Sequence, residues 1–339
     1  MSEIIKVGII GCGRIGNLHI ENLNFNKNVK INCIFDSNIK VAKKTAKRHQ
    51  IKFFENVNDV FNSKEIDAII IASSTNTHSK YIEKSILHKK AVFCEKPIDL
   101  SLKKVRSIYK KFSKITIPIQ IGFNRRFDPC NQKAKISLEK GKIGELQKII
   151  ITSRDPEIPP KSYCEVSGGL FRDMTIHDFD LARFFLEEEP VEVFALANRL
   201  IEPKLMADIN DFDTCMIILR TANGKQCFIN NSRKSVYGYD QRVELFGSKG
   251  MLISENQKID ELRQYNNRNT EISSKYKYFF LERYNVSFQN ELNSFIHSIK
   301  NKTKPKVSLF DGKQATILAE AAYLSLKKKR LVKLSEIND

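Results

Sequence analysis

Several features that would point to other classes of protein are missing from this sequence. Its seven scattered cysteines contain no CxxC pair, no apolar run is long enough to span a membrane, and there is no internal repeat or low-complexity linker. A zinc site, a disulfide framework and a transmembrane helix are therefore not indicated. Cys33 and Cys94 lie in apolar, strand-like segments, which is typical of buried, reduced thiols. The first ten residues lack a signal-peptide pattern, which predicts a cytoplasmic protein.

Acidic residues are few relative to basic ones. The chain has 39 Asp and Glu against 57 Lys and Arg, which gives a formal net charge of +18. Such a charge raises the possibility of a nucleic-acid partner. The lysines are spread along the whole chain, however, and the densest run, Lys327–Arg330, ends a predicted helix, where cations suit the helix dipole. We therefore interpret the charge as a solvated surface and expect no nucleic-acid partner.

The 339 residues are enough for two domains, and the pattern changes near residue 122. Before it, apolar strand-like runs alternate with helical stretches, which predicts a doubly wound parallel α/β sheet of the Rossmann type over residues 1–122. The predicted strands are Ile4–Ile10, Val29–Phe35, Asp67–Ala72, Ala91–Cys94 and Ile117–Gly122. The predicted helices are a stretch ending near Asn24, Ile39–His49, Tyr81–His88 and Ser101–Phe112.

The sequence pattern over residues 123–339 predicts an α+β domain with a mainly antiparallel, open sheet. Asn223-Gly224 between two β-rich runs indicates a hairpin. The late helices, over Tyr284–Lys300 and Gln314–Lys329, are candidates for packing back on the first domain. The predicted strands are Gln147–Ser153, Val191–Asn198, Thr214–Arg220, Gln226–Ser232 and Gln241–Phe246.

A glycine-rich loop follows the first strand and opens the first helix. In Gly11-Cys12-Gly13-Arg14-Ile15-Gly16, the first two glycines allow a tight turn and close backbone approach, and the third allows helix–strand packing. The helix N-terminus, with Arg14 and Ile15, would then face a pyrophosphate. Asp36 ends the second strand, where a carboxylate can bind ribose hydroxyls. The alternative, an ordinary turn beside an unrelated Asp36, fits this context less well.

The charge of Asp36 also indicates which cofactor is used. A carboxylate there repels a 2′-phosphate, and Ser37 and Asn38 are neutral, so NAD is favoured. Lys40, Lys43 and Lys44 lie nearby, which leaves some use of NADP open. A second cofactor loop is predicted after the third strand, although its polar residues would also suit an ordinary helix cap. Its residues are Ser73, Ser74, Thr75, Asn76 and His78.

Two further segments carry candidate catalytic residues. Glu95-Lys96-Pro97 places a lysine at the carboxyl end of a strand, where packing does not explain the presence of a lysine. Asp173 and His177 are four residues apart, so on a helix they share one face, and a carboxylate beside an imidazole suits acid–base chemistry. A structural histidine, a helix cap or a pair of metal ligands are the alternatives. No third candidate ligand lies at a spacing typical of metal sites, so no metal is predicted.

Together, these motifs and their order resemble the inositol dehydrogenase branch of the Gfo/Idh/MocA oxidoreductases, over nearly the whole chain. The motifs are GCGRIGNLH at Gly11–His19, EKP at Glu95–Pro97, GFNRRFDP at Gly122–Pro129, GGLFRDMTIHDFDLARF at Gly168–Phe184 and YGYDQRVELFGSKGML at Tyr237–Leu252. The resemblance implies a dimer or tetramer formed through an open sheet, and a cis Lys96–Pro97 bond. It also implies Glu95 and Lys96 at the cofactor.

The resemblance further implies oxidation of a cyclic polyol, with myo-inositol to 2-keto-myo-inositol as the leading candidate. His177 would accept the hydroxyl proton, Asp173 would hold His177, and Lys96 would stabilise developing charge on the reacting oxygen. The same three residues would bind substrate, together with Arg125, Asp155 and either Tyr237 or Tyr239. The alternatives are a dehydrogenase for scyllo-inositol, a hexose or another sugar, and, from another class, a non-catalytic regulator that binds NAD and a sugar.

Overall fold

The computed structural model describes residues 4–337, which form two compact units. The first contains residues 4–127 and 286–316, and the second contains residues 128–285 and 317–337. In the described residues the strands are β1 Ile5–Ile10, β2 Val29–Phe35, β3 Ala68–Ile71, β4 Ala91–Glu95, β5 Ile119–Gly122, β6 Leu146–Arg154, β7 Pro190–Asn198, β8 Thr214–Thr221, β9 Gln226–Ser232, β10 Asp240–Gly247, β11 Gly250–Ser254, β12 Arg263–Gln264, β13 Ile272–Ser273 and β14 Val332–Lys333.

Helices of four residues or more are also numbered in chain order. Over residues 4–337 they are α1 Arg14–Asn24, α2 Ile39–His49, α3 Val57–Asn62, α4 His78–Leu87, α5 Leu102–Phe112, α6 Pro129–Glu139, α7 Lys161–Ser167, α8 Leu170–Asp173, α9 Thr175–Leu186, α10 Pro203–Asp208, α11 Phe280–Arg283, α12 Asn285–Asn301 and α13 Leu309–Lys328. None of the described helices is long and apolar enough to cross a membrane.

The first unit is built on a parallel sheet with the order β2-β1-β3-β4-β5. Its strands are continuous apolar runs because helices cover both faces. On one face, Ile20 of α1 and Phe295 of α12 join Val7 and Phe93 of the sheet in a single apolar core. The late helix α12 is therefore part of the first unit.

The second unit contains a sheet with the order β11-β10-β6-β9-β8-β7-β14. All neighbouring strands are antiparallel except β6 and β9, which run parallel. Side chains alternate along β8, so that Ile217 is buried while Met216 and Ile218 are exposed. One face packs on α9, and the exposed apolar residues lie on the opposite face.

The predicted combination of a parallel α/β sheet and a mainly antiparallel sheet is confirmed. The hairpin at Asn223-Gly224 joins β8 to β9, and Gly224 has the positive φ of 85° that this turn requires. Helix α6 was not predicted, although Asp128 caps it through hydrogen bonds from the backbone N–H groups of Cys130 and Asn131, and Pro129 occupies its first turn. A helix start was thus present in the sequence.

Candidate active site

The glycine-rich loop has the shape that a dinucleotide requires. Gly11 has a φ of 100°, and a Cβ atom at Gly16 would overlap the carbonyl oxygen of Gly11. Gly13 is exposed, and nothing lies within 4 Å of the position of its absent Cβ. Gly11 and Gly16 are therefore required by their surroundings, whereas Gly13 leaves open space above the N-terminus of α1. That space, next to exposed Arg14, suits the close approach of a pyrophosphate.

Asp36 is held at the end of β2 by two backbone groups. Its carboxylate accepts hydrogen bonds of 2.8 Å from the N–H groups of Cys12 and Asn38. Burial, and then the nearby Asp36 carboxylate, raise the pKa of the Cys12 thiol to about 12, so this cysteine is not a nucleophile at neutral pH. The partly exposed Asp36 is thus fixed beside the glycine-rich loop, as a ribose-binding carboxylate must be.

The second predicted cofactor loop follows β3 and leads into α4. The Oγ atoms of Ser73 and Thr77 lie 2.7 Å apart, and Ser74, Thr75 and Asn76 form its outer turn, with Ser74 and Asn76 exposed. His78 is buried, and its two ring nitrogens lie 2.8 Å from the carbonyl oxygen of Pro97 and 2.9 Å from that of Ser73. The imidazole therefore ties this loop to the segment after Lys96.

Lys96 directly follows β4, and the predicted cis Lys96–Pro97 bond is confirmed. The side chain of Lys96 is partly exposed, as a residue that meets a ligand must be. Its neighbour Glu95 was predicted to contact the cofactor. The Glu95 carboxylate lies 2.7 Å from Nε2 of His19, a fully buried residue of α1, and its contact with the cofactor stays a prediction.

Asp173 and His177 lie on two consecutive helices rather than on one. Asp173 ends α8, Met174 interrupts the helix, and His177 belongs to the first turn of α9. Both side chains are partly exposed. Helix α9 is anchored to the sheet by the buried carboxylate of Asp178, which accepts hydrogen bonds of 2.7 Å from Ser153 Oγ and Asn231 Nδ2. The residue after His177 therefore fixes the start of its helix.

The carboxylate of Asp173 has two partners that the sequence did not suggest. Tyr163 Oη donates to one oxygen at 2.7 Å, and Arg233 Nη1 lies 3.3 Å from the other. Arg233 is fully buried and also pairs with Asp211 at 3.4 Å. Burial opposes its charge, but the carboxylates of Asp173 and Asp211 outweigh this and raise the pKa of Arg233. Nothing in its local sequence marks Arg233 as the partner of a residue 60 positions away.

The predicted substrate-binding residues differ in accessibility. Tyr239 is buried, with its ring packed edge-on against Tyr284, whereas Tyr237 is half-exposed and donates to Asp240 at 2.6 Å. Asp155 directly follows β6, and its backbone N–H bonds to Ser232. Arg125 is buried in the short turn after β5. Of the two tyrosines, Tyr237 is the more exposed residue.

The two units each match a family model. Residues 5–123 match the oxidoreductase family with an NAD-binding Rossmann fold, and residues 131–253 match its C-terminal domain. A myo-inositol 2-dehydrogenase from Thermotoga maritima is 41% identical over 334 residues, which cover 98% of this chain and 99% of that protein. The chain belongs to the Gfo/Idh/MocA oxidoreductase family.

Two solved structures in this family resemble the chain over nearly its whole length. One is a putative myo-inositol dehydrogenase from Sinorhizobium meliloti, with 40% identity, a TM-score of 0.94 and coverage of 97% of this chain and 99% of the other. Another is the scyllo-inositol dehydrogenase from Lactobacillus casei with NAD(H) and scyllo-inositol bound. It is 28% identical, with a TM-score of 0.90, and the match covers 98% of this chain and 100% of the other. NAD is thus the cofactor of this Gfo/Idh/MocA oxidoreductase, and the open loop at Gly13 fits it.

Proposed function

We propose that the protein oxidises myo-inositol to 2-keto-myo-inositol with NAD. The observation that carries this proposal is the 41% identity to a named myo-inositol 2-dehydrogenase along almost the entire chain. The retention of Lys96, Asp173 and His177, at the positions that the family motifs give them, supports a catalytic role over a regulatory one. A non-catalytic sugar-binding relative would have no need for all three.

In the proposed reaction, a secondary alcohol loses a proton from oxygen and a hydride from carbon. His177 accepts the proton, and Asp173 holds the imidazole in its working orientation. Lys96 donates a hydrogen bond to the reacting oxygen and stabilises the negative charge that develops there. The bound cofactor supplies the hydride acceptor. The product is a ketone, and one proton is released.

Asp173 is suited to this role because both of its carboxylate oxygens are held. Arg233 and Tyr163 engage its two carboxylate oxygens, so the carboxylate is held in one orientation. A fixed carboxylate can orient a neighbouring imidazole at little entropic cost. We further propose that Arg125, Asp155 and Tyr237, or Tyr239 in its place, bind the other hydroxyls of the polyol.

We also propose that the chain forms a homodimer or homotetramer in the cytoplasm. The open face of the second sheet supports association, because Ile150 and Ile218 are exposed there beside partly buried Phe194 and Phe228. The register of β6, β7, β8 and β9 places these four side chains in one row across the sheet. A contiguous apolar patch of this kind marks an interface.

The substrate is tested by a panel of inositol isomers and hexoses, with NADH formation followed by absorbance. We expect myo-inositol to give the highest kcat/KM. The bound ligand in the Lactobacillus casei structure makes scyllo-inositol the second candidate. A clear preference for scyllo-inositol or a hexose would contradict the proposed substrate but not the proposed NAD-dependent oxidation of a secondary alcohol. The absence of NADH formation with every polyol would overturn the proposed function.

A further inference from the structure

The first unit holds a group of ionisable side chains in its apolar core, next to the residue before Lys96. The group consists of His19 from α1, Glu95 from β4 and Glu291 from α12, and we refer to it as the core acid cluster. His19 and Glu291 are fully buried, and the side chain of Glu95 is 12% exposed. Ionisable groups are rarely buried like this without a function or a compensating partner.

Apolar groups surround the core acid cluster. The rings of Phe93 and Phe288 pack edge-on against His19, at centroid distances of 5.2 and 6.0 Å. Leu292, the residue after Glu291, is part of the same apolar core as Phe93. Solvent therefore does little to stabilise a charge at this position.

Hydrogen-bond acceptors outnumber donors within the core acid cluster. His19 Nε2 lies 2.7 Å from Glu95 Oε1, but His19 Nδ1 and both carboxylate oxygens of Glu291 have no hydrogen-bond partner in residues 4–337. Gln120 donates through Nε2 to the carbonyl oxygen of Glu291 at 2.8 Å, which leaves its own Oε1 without a donor. A proton on the Glu291 carboxyl group would supply a missing donor.

The charges in the core acid cluster also favour a proton on the Glu291 carboxyl group. One candidate atom from each member lies within 4.8 Å of the others, and His19 is the one potential cation among the three. Burial, and then the nearby charge of Glu95, raise the pKa of Glu291 well above its usual range. Two carboxylates that share a dry site do not both ionise at neutral pH.

The position of Glu95 connects the core acid cluster to Lys96. Glu95 pairs with Gly122 across β4 and β5, and a Cβ atom at Gly122 would lie 3.1 to 3.2 Å from the Glu95 carboxyl group. The carboxyl group therefore lies against this glycine, and His19 and Glu291 are also close to it. Because Lys96 is the next residue in the chain, a displacement of Glu95 would be transmitted directly to Lys96.

We propose that Glu291 is kept as a neutral carboxylic acid and that, with His19, it positions Glu95 and thereby Lys96. The part of this inference that concerns Lys96 rests on the proposed function, whereas the protonation of Glu291 does not. The three side chains of the core acid cluster act through the strand end rather than on the substrate, so they are positioning residues.

The protonation is tested by infrared difference spectroscopy at neutral pH. We expect the carbonyl stretch of a protonated carboxylic acid in the unmodified protein and its loss in Glu291→Gln, which keeps the shape and the neutral charge. Glu192→Gln serves as the matched control, because buried Glu192 forms an ion pair with Arg220. The proposal is overturned if the band is absent or survives Glu291→Gln, or if elemental analysis finds a stoichiometric divalent metal that Glu291→Gln removes.

The positioning role is tested by kcat in a double-mutant cycle with Lys96→Ala. Glu291→Leu should lower kcat on the order of tenfold, because small displacements of a catalytic group are costly. Glu291→Gln should recover most of that loss, and the Kd for NAD should change little in either variant. In the Lys96→Ala background, Glu291→Leu should cause no further loss.

The outcomes of this cycle separate the two proposals. If Lys96→Ala leaves kcat unchanged, the catalytic role that the proposed function gives to Lys96 fails, and the infrared result stands by itself. If Lys96→Ala lowers kcat but the effect of Glu291→Leu is absent or fully additive, the positioning role is wrong. Gly122→Ala, which displaces the Glu95 carboxyl group directly, provides a second variant if Glu291→Leu does not fold. It should lower kcat in the same way and show no further loss with Lys96→Ala.

Discussion

At the scale of single residues, Lys96, Asp173 and His177 should contribute to turnover rather than to cofactor binding. General acid–base groups contribute about a hundredfold to ten-thousandfold, so His177→Ala should lower kcat on the order of a hundredfold or more. Lys96→Ala should lose a similar amount, because it removes stabilisation of the developing charge. Asp173→Asn should lose less if its main role is to orient His177.

Steady-state assays with the best polyol, together with calorimetric titration of NAD, check this prediction. Exposed His297 on α12 offers a matched control, and His297→Ala should leave kcat unchanged. The losses should not add in double variants, since the three residues serve one proton transfer. Near-normal turnover of His177→Ala would contradict the assignment of the catalytic base.

Asp36 should determine the choice between NAD and NADP. We expect kcat/KM to be at least about tenfold higher with NAD, equivalent to about 1.4 kcal/mol, because the carboxylate repels a 2′-phosphate. Asp36→Asn should narrow this preference. Asp67→Asn is the control, because Asp67 also accepts a backbone N–H, from Lys6 at 2.8 Å, in the same unit. Equal kcat/KM for the two cofactors in the unmodified protein would refute the prediction.

At the scale of elements, the loop between β1 and α1 contains one glycine that folding requires, Gly16, and one that we expect NAD binding to require, Gly13. Gly16→Ala places a Cβ on the carbonyl oxygen of Gly11, so it should destabilise the protein by about 1–3 kcal/mol. Gly13→Ala meets no protein atom within 4 Å and should leave the free energy of unfolding nearly unchanged. Its methyl group would nevertheless occupy the space that a pyrophosphate needs, so the Kd for NAD should rise.

Chemical denaturation and NAD titration of both variants check this contrast. Each variant is the control for the other, because the substitution is the same and only the surroundings of the glycine differ. If Gly13→Ala bound NAD as tightly as the unmodified protein, the open space above α1 would not be the pyrophosphate site.

At the scale of the whole molecule, the open face of the second sheet should drive association. Ile218→Glu introduces a charge in the middle of the apolar row without disturbing the core, since Ile218 is exposed. It should shift the protein towards monomers in sedimentation or light-scattering measurements. Leu262→Glu, at an exposed apolar residue outside this sheet, should leave the assembly unchanged. A monomeric unmodified protein at micromolar concentration would refute the prediction.

Much of the architecture could be predicted from the sequence because its signals are local. Five apolar runs and their intervening helices indicated the parallel sheet, and Val29–Phe35 was predicted with the bounds that β2 has. The late helix α12 was predicted as a helix, and its packing on the first unit was left open. Helices α3, α7 and α10 are six or seven residues long, which is too short for a clear helical periodicity.

The sequence by itself determined the family, the class of cofactor and the candidate catalytic residues, because each depends on residues that stand close together in a motif. The tertiary structure alone decided what those residues contact. Glu95 turns towards His19 and Glu291, and Asp173 pairs with Arg233, through contacts that join residues 60 or more positions apart. Local spacing carries no information about such pairs, since they depend on which strands and helices pack together and on how deeply each side chain is buried.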